Sequence, residues 1–225
     1  ITNKMAESEQ LPRLKKSVAQ LEKDLEKYKT ANQRLTRNMD ELSSMTPESQ
    51  MEHALAAAGI GQGKNRKDFE LFIKGLKDLP GKDLHLMVDA TGSMHCVITC
   101  LIPVLRVIVI RSNKHLSAIT WFSDDKSETY TGSIGEMFDN LMQGAPFIGN
   151  RETLGRAFKH AMREAPVPGA YLLIGDEPST DPLPYISIPS PVFTLPIGRD
   201  NPETNWAYKT LAEKTGGKML HLEFK

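Results

Sequence analysis

The chain has 225 residues, of which 40% are hydrophobic and 25% are charged, so most of it can fold around a core. Its 28 Lys and Arg residues balance 28 Asp and Glu residues, and this neutrality gives no support to nucleic-acid binding, which usually relies on a basic excess. No apolar segment is long enough to span a bilayer, since the longest, residues 96–110, contains Pro103 and Arg106.

The first pattern along the chain is a heptad repeat that continues over more than four heptads. Its apolar seam is narrow, confined to the a and d positions, with Lys, Glu, Gln, Arg and Asp between them, which is typical of a coiled coil. The alternative is a single amphipathic helix that lies on the rest of the protein. The a positions are Leu11, Val18, Leu25, Asn32 and Met39, and the d positions are Leu14, Leu21, Tyr28, Leu35 and Leu42.

Two features of this repeat predict a parallel homodimer. Asn32 at an a position is costly in a core unless it pairs with its own copy, and that pairing fixes the register. Asp24 at g can reach Lys29 at e of the next heptad in a parallel partner.

Three regions follow from the order of the patterns: a coiled-coil stalk over residues 1–45, a helical connector over 46–80, and a globular domain over 81–225. Thr46-Pro47 predicts the N-terminus of a short helix. The chain begins at Ile1 rather than Met, so we expect an upstream segment, through which any membrane contact would come. A stalk of this kind favours the periplasmic side of the cell envelope over the cytoplasm.

Strand-like and helix-like segments alternate in the globular domain. This alternation predicts an α/β fold with a doubly wound, mainly parallel sheet flanked by helices, whose ligand site lies at the carboxyl ends of the strands. The predicted strands are 84–88, 116–122, 170–174, 191–197 and 219–222, and the predicted helices are 96–110, 133–142, 154–163 and 204–214.

A run of oxygen-bearing side chains follows the first predicted strand. Asp89, Thr91 and Ser93 alternate with Ala90 and Gly92, so a loop that leaves the strand can turn all three toward one point. These are hard oxygen donors, which suit Mg²⁺, Mn²⁺ or Ca²⁺. The alternative is structural, because Thr91 or Ser93 can simply cap the following helix.

The sequence from Val88 to Met94 resembles the D-x-[ST]-x-S metal-ion-dependent adhesion site (MIDAS) of the von Willebrand factor A (VWA) family. The similarity extends over residues 82–224. The further segments that carry it, in the family's order, are Ile119-Thr120-Trp121-Phe122-Ser123-Asp124, Gly149-Asn150-Arg151-Glu152-Thr153-Leu154-Gly155-Arg156-Ala157, Leu172-Leu173-Ile174-Gly175-Asp176 and Ala212-Glu213-Lys214-Thr215-Gly216-Gly217-Lys218.

This resemblance implies a metal-dependent module that binds a protein partner, with Mg²⁺ as the expected ion and Mn²⁺ or Ca²⁺ as alternatives. Asp89, Thr91 and Ser93 would be ligands from the first loop, and Asp176 would act from the third loop through water. In this family a carboxylate of the bound protein fills the open coordination position.

The second loop departs from the family pattern. Counting back from Ala157 puts Glu152, rather than Thr153, at the position of the family's threonine. Thr153 is the predicted ligand, and Glu152 is the alternative. A carboxylate from Glu152 would make the metal less electrophilic toward an acidic side chain of a partner.

Two other functions are compatible with the motif. Asp-x-Thr-Gly-Ser also resembles the nucleophile loop of haloacid-dehalogenase-like phosphatases, in which Asp89 would form an aspartyl phosphate with the help of Mg²⁺. A structural scaffold with a degenerate metal site is the other alternative. Binding of a protein partner without catalysis is the favoured prediction, because the phosphatase leaves Ser93 without a role.

Overall fold

The computed structural model describes residues 2–223, and within them the side chains of residues 11–34, 36, 37, 40 and 43–223. The chain divides into two compact units, one up to Gln50 and one from Met51 on. Three of the predicted heptad positions, Leu35, Met39 and Leu42, lie outside the described side chains.

The first unit is dominated by one long helix, α1, which spans Thr2–Ser43. Its described apolar a and d side chains are 52% to 71% exposed, which is consistent with a surface left for a partner helix but does not show one. The coiled coil therefore stays a prediction. Among the described residues, no helix is both long and apolar enough to cross a membrane. The exposed seam residues are Leu11, Leu14, Val18, Leu21, Leu25 and Tyr28.

Helix α2 spans Pro47–Ala57 and begins where the sequence predicts. The backbone N–H of Ser49 donates to Thr46 Oγ1 over 3.3 Å, so Thr46 acts as the helix cap. The remaining elements are α3 (Gly63–Asp78), β1 (Asp83–Asp89), α4 (Ile98–Ser112), β2 (His115–Ser123), β3 (Lys126–Tyr130), α5 (Ile134–Gly144), α6 (Leu154–Glu164), β4 (Ala170–Gly175), β5 (Val192–Pro196) and α7 (Pro202–Thr215).

The five strands form one sheet in the order β3-β2-β1-β4-β5. All neighbouring pairs are parallel except β2 and β3, which form an antiparallel hairpin at one edge. Strand β3 is not predicted by the sequence analysis, because its Lys-Ser-Glu-Thr-Tyr sequence has little apolar character. The predicted strand 219–222 is present only as two isolated parallel bridges to the β5 edge, Thr194 to Met219 and Ile197 to Leu222.

Helices cover both faces of this sheet, as the alternation along β1 requires. Leu84, Leu86 and Val88 pack in one apolar cluster together with residues of α3, α4 and α5. Met87 points to the other face and belongs to a second cluster with residues of α6 and α7. The predicted α/β class with a mainly parallel, helix-flanked sheet is therefore confirmed.

Residues 51–80, predicted as a connector, belong to the same compact unit as the sheet. Helix α3 contributes four buried side chains to the first apolar cluster. These are Phe69, Phe72, Ile73 and Leu76.

Candidate metal centre

Three loops meet at the carboxyl edge of the sheet, after β1, before α6 and after β4. Their backbones are tied to one another. Gly92 N donates to Gly149 O over 3.1 Å, and Thr180 N donates to Glu152 O over 2.8 Å. The three predicted loops are thus brought together at the edge where α/β folds place their ligands.

The first loop is organised around Asp89, which is fully buried. Its Oδ1 accepts hydrogen bonds from Thr91 N at 2.8 Å and from the Thr91 hydroxyl at 2.7 Å. The Thr91 hydroxyl also lies 3.2 Å from the hydroxyl of Ser93, which is exposed. Asp89 Oδ2 is buried and has no hydrogen-bond partner among the described residues. The predicted first-loop ligands therefore form one connected group that reaches from the interior to solvent.

The third loop brings Asp176 to the same place. Strands β1 and β4 are parallel neighbours with Val88 opposite Ile174, so Asp176 leaves the sheet beside Asp89. Asp176 Oδ1 is also buried without a hydrogen-bond partner in the part of the chain that the structure describes. Glu177 follows it and is exposed.

The second loop turns Glu152 and Thr153 in different directions. The hydroxyl of Thr153 donates to the backbone carbonyl of Asp124. The Glu152 side chain is buried, and its pKa responds to the Thr91 hydroxyl and to the charge of Asp176. Of the two candidates, Glu152 is the one influenced by the charge of Asp176, and Thr153 is the one whose hydroxyl is bonded to Asp124.

Two aspartates fix this second loop from opposite sides. Asp124 Oδ1 accepts from the backbone N–H groups of Asn150 and Arg151, both at 3.2 Å. Gly149 has φ of 97°, and a Cβ there would lie 2.5 Å from Asp124 Oδ2, so the position requires glycine.

Asp181 reaches the second loop from the third. Its carboxylate accepts from Gly155 N at 2.7 Å and Arg156 N at 2.8 Å, and so caps the N-terminus of α6. In the sequence, the position of Asp181 after Pro178-Ser179-Thr180 is typical of a loop residue that caps or turns the chain locally. A contact across 26 positions has no local sequence signal that would have revealed it.

Burial and mutual repulsion govern the electrostatics of the site. Burial raises the pKa of Asp89, against two hydrogen bonds from Thr91, and repulsion by Asp176 and Glu152 adds to the increase. Burial also raises the pKa of Glu152, and repulsion by Glu177 and Asp176 contributes. The pKa of the buried Tyr208 hydroxyl is raised by burial and by all four of these carboxylates. The four acidic side chains are thus close enough to one another for all of them to raise the pKa of Tyr208.

A divalent cation suits this set of donors. It would supply partners for the two unpaired carboxylate oxygens of Asp89 and Asp176 and would offset the repulsion. Among the described residues, no three His, Cys, Asp or Glu side chains are close enough to hold a metal by themselves. A centre here would therefore also need the hydroxyls of Thr91 and Ser93, or water, which is the kind of donor set that the motif predicts.

Comparison with known proteins gives no family for this chain. Neither the models of known protein families nor the curated proteins match it. The resemblance to the VWA family therefore depends on the motifs themselves and on the site they form.

Proposed function

We propose that this protein is a VWA-like module that binds a protein partner through a divalent metal ion, most naturally Mg²⁺, and that α1 pairs two such modules. The observation that carries the proposal is the carboxylate of Asp89. It is fully buried, one oxygen is held by Thr91, and the other has no partner among the described residues. A buried charge in this state is costly unless a cation or a proton compensates it.

The surrounding donors support a hard cation rather than zinc. Thr91, Ser93 and Asp176 offer oxygen atoms only, and the site lies at the carboxyl edge of a mainly parallel sheet. A metal ion bound there would place a fixed positive charge on a surface formed by loops. Loops positioned by a rigid scaffold often carry the residues that bind a partner.

The exposed apolar seam of α1 supports the pairing of two modules. A dimer would present two metal sites and raise the avidity for a repeated or clustered partner, provided that the geometry lets both sites engage.

Metal binding is tested by calorimetry and thermal unfolding of wild type and Asp89→Asn with Mg²⁺, Mn²⁺ and Ca²⁺. Asparagine keeps an Oδ1 acceptor for Thr91 but removes the buried charge. In chelator, we expect Asp89→Asn to unfold at the same temperature as wild type or higher. With metal at about 100 times its Kd, the wild type should gain about 2.7 kcal/mol and the variant much less.

Asp83→Asn is the matched control, because Asp83 lies at the opposite end of β1 and is exposed. It should leave the metal response unchanged. A wild type without any metal response would contradict the proposal and favour the scaffold. Phosphatase activity that is lost in Asp89→Asn would favour the enzyme instead.

A further inference from the structure

Glu152 is the residue by which this site differs from the motif it resembles. Its side chain is 3% exposed, although it lies in a surface loop just before α6. Its backbone is held in place, because Glu152 O accepts from Thr180 N at 2.8 Å and from the Ser179 hydroxyl at 3.3 Å. The loop therefore keeps the carboxylate inside the site, where its pKa responds to Thr91, Asp176 and Glu177.

Thr153 is not free to replace it. Its hydroxyl hydrogen is donated to the carbonyl of Asp124, which anchors the second loop to the end of β2. Turning Thr153 toward Asp89 would break this bond and would require the loop to shift by one residue. The second loop thus contributes a charged donor to the centre where the motif would contribute a neutral hydroxyl.

Hydrogen-bond donors at the centre are fewer than the acceptors. The Thr91 hydroxyl donates its one hydrogen to Asp89 Oδ1, with 2.7 Å between the two oxygens. Burial raises the pKa of Glu152, and hydrogen bonding to Thr91 opposes that increase. Asp89 Oδ2, on a fully buried side chain, has no partner among the described residues, and a buried carboxylate oxygen of this kind is stabilised by a bound cation. Asp89 and Glu152 are both buried at these joined loops, and a divalent cation bound there can accept oxygens from both carboxylates.

The charge of the centre decides what else can bind there. Asp89, Glu152, Asp176 and Glu177 carry four negative charges when ionised, so one divalent ion leaves the group negative. The nearby Arg151 does not offset this charge, because its guanidinium lies 2.7 Å from Asp125 Oδ2. An incoming carboxylate would be repelled, whereas a neutral oxygen or a cationic group would not.

We propose that Glu152 is a metal ligand supplied by the chain itself, and that the metal-loaded centre therefore excludes carboxylates and accepts a neutral or cationic group of its partner. This inference rests on the proposed metal-dependent function and specifies the chemistry of the partner. In this proposal the second loop places Glu152 at the metal, and the bond from Thr153 to Asp124 keeps the loop in position.

The test uses the full chain loaded with Mn²⁺ and acetate as the carboxylate probe. Acetate that enters the coordination sphere displaces water from Mn²⁺, which lowers the relaxation rate of water protons. We expect no effect of acetate on wild type. Glu152→Thr and Glu152→Gln should bind acetate at least about tenfold more tightly, because each removes one negative charge from the centre. Glu152→Gln has the same shape as the native residue, so it decides the outcome if Glu152→Thr unfolds.

Glu177→Gln is the matched control, since it removes the same charge from an exposed neighbour. It should gain clearly less acetate affinity than Glu152→Gln, because Glu177 is exposed and its charge is screened by solvent. Acetate binding that is equal in wild type and both Glu152 variants would overturn the role of Glu152, as would a gain in Glu177→Gln as large as in Glu152→Gln. A wild type that binds no Mn²⁺ would overturn the proposed function as well, so the two failures are distinguishable.

Discussion

His85 is another buried titratable residue, on the same strand as Asp89. It is 1% exposed in β1, and its Nε2 lies 2.7 Å from the Thr120 hydroxyl. Its Nδ1 has no partner among the described residues. Burial, with repulsion from His160 as a smaller cause, lowers the pKa of His85 to about 4. The imidazole is therefore held neutral inside the sheet at physiological pH.

This lowered pKa predicts that His85 lowers the stability of the protein in mild acid. Between about pH 6.5 and pH 4 the unfolded chain binds a proton at His85 that the folded chain does not, so the contribution of His85 to the free energy of unfolding falls as the pH falls through this range. The raised pKa of Asp89 has the opposite effect in chelator, because there the folded chain binds the additional proton. The contribution of His85 is at most about 3 kcal/mol. Denaturant unfolding at several pH values, in chelator, measures it.

His85→Gln removes this titration and keeps a group that can bond to Thr120. The free energy of unfolding at pH 4, relative to its value at pH 7, should be higher in this variant than in wild type. His53→Gln, at an exposed position of α2, serves as the control and should retain the wild-type pH dependence. An unchanged dependence in His85→Gln would contradict the assignment.

At the scale of single residues, the first loop was largely predictable and the second was not. Asp89, Thr91 and Ser93 are close in sequence, so their spacing already indicates a shared direction. Glu152 and Thr153 are adjacent, and which of them faces the centre depends on a bond to Asp124, 29 positions away. No spacing rule contains that information.

Helices α5 and α6 show two ways to satisfy a helix N-terminus. Helix α5 carries a local capping box, in which Ser133 accepts from Glu136 N and Glu136 bonds back to Ser133 N. The N-cap residue of α6, Thr153, makes no such bond, and the carboxylate of Asp181 caps the helix from the third loop. The cap of α6 therefore also links two loops of the candidate metal centre.

This difference predicts a selective effect on metal binding. Asp181→Ala and Ser133→Ala should each destabilise the protein by about 1 kcal/mol, because each removes a helix cap. Only Asp181→Ala should weaken metal binding, since it releases the second loop from the third. Thermal unfolding in chelator and calorimetry with Mg²⁺ separate the two effects. Equal metal affinity in both variants would contradict the coupling of the loops.

For the whole molecule, the exposed seam of α1 is the feature that we expect to set the oligomeric state. Six apolar side chains of this seam are exposed in the single chain, and a second copy would bury them. The wild type should therefore sediment with the mass of a dimer. Leu21→Glu, at a d position, should convert it to a monomer at micromolar concentration, whereas Gln20→Glu on the outer face should not.

Asn32 provides a separate test of the parallel arrangement. Asn32→Val should raise the unfolding temperature of the stalk and allow assemblies larger than a dimer, because the polar pair that specifies the register is lost. Sedimentation equilibrium combined with circular dichroism measures both effects. A wild type that is monomeric at high concentration would contradict the homodimer. The apolar seam would then have to pack against something other than a second copy.

The sequence by itself determined the α/β class and the mainly parallel sheet, and it predicts the first-loop donors and the heptad seam, because each depends on periodicity or on spacing within a few residues. The tertiary structure decided that Lys126–Tyr130 forms one edge strand of the sheet and that Asp181 caps α6. It also buried Glu152 and bonded the Thr153 hydroxyl to Asp124. These features depend on contacts between distant residues, whose partners are defined only when the chain has folded.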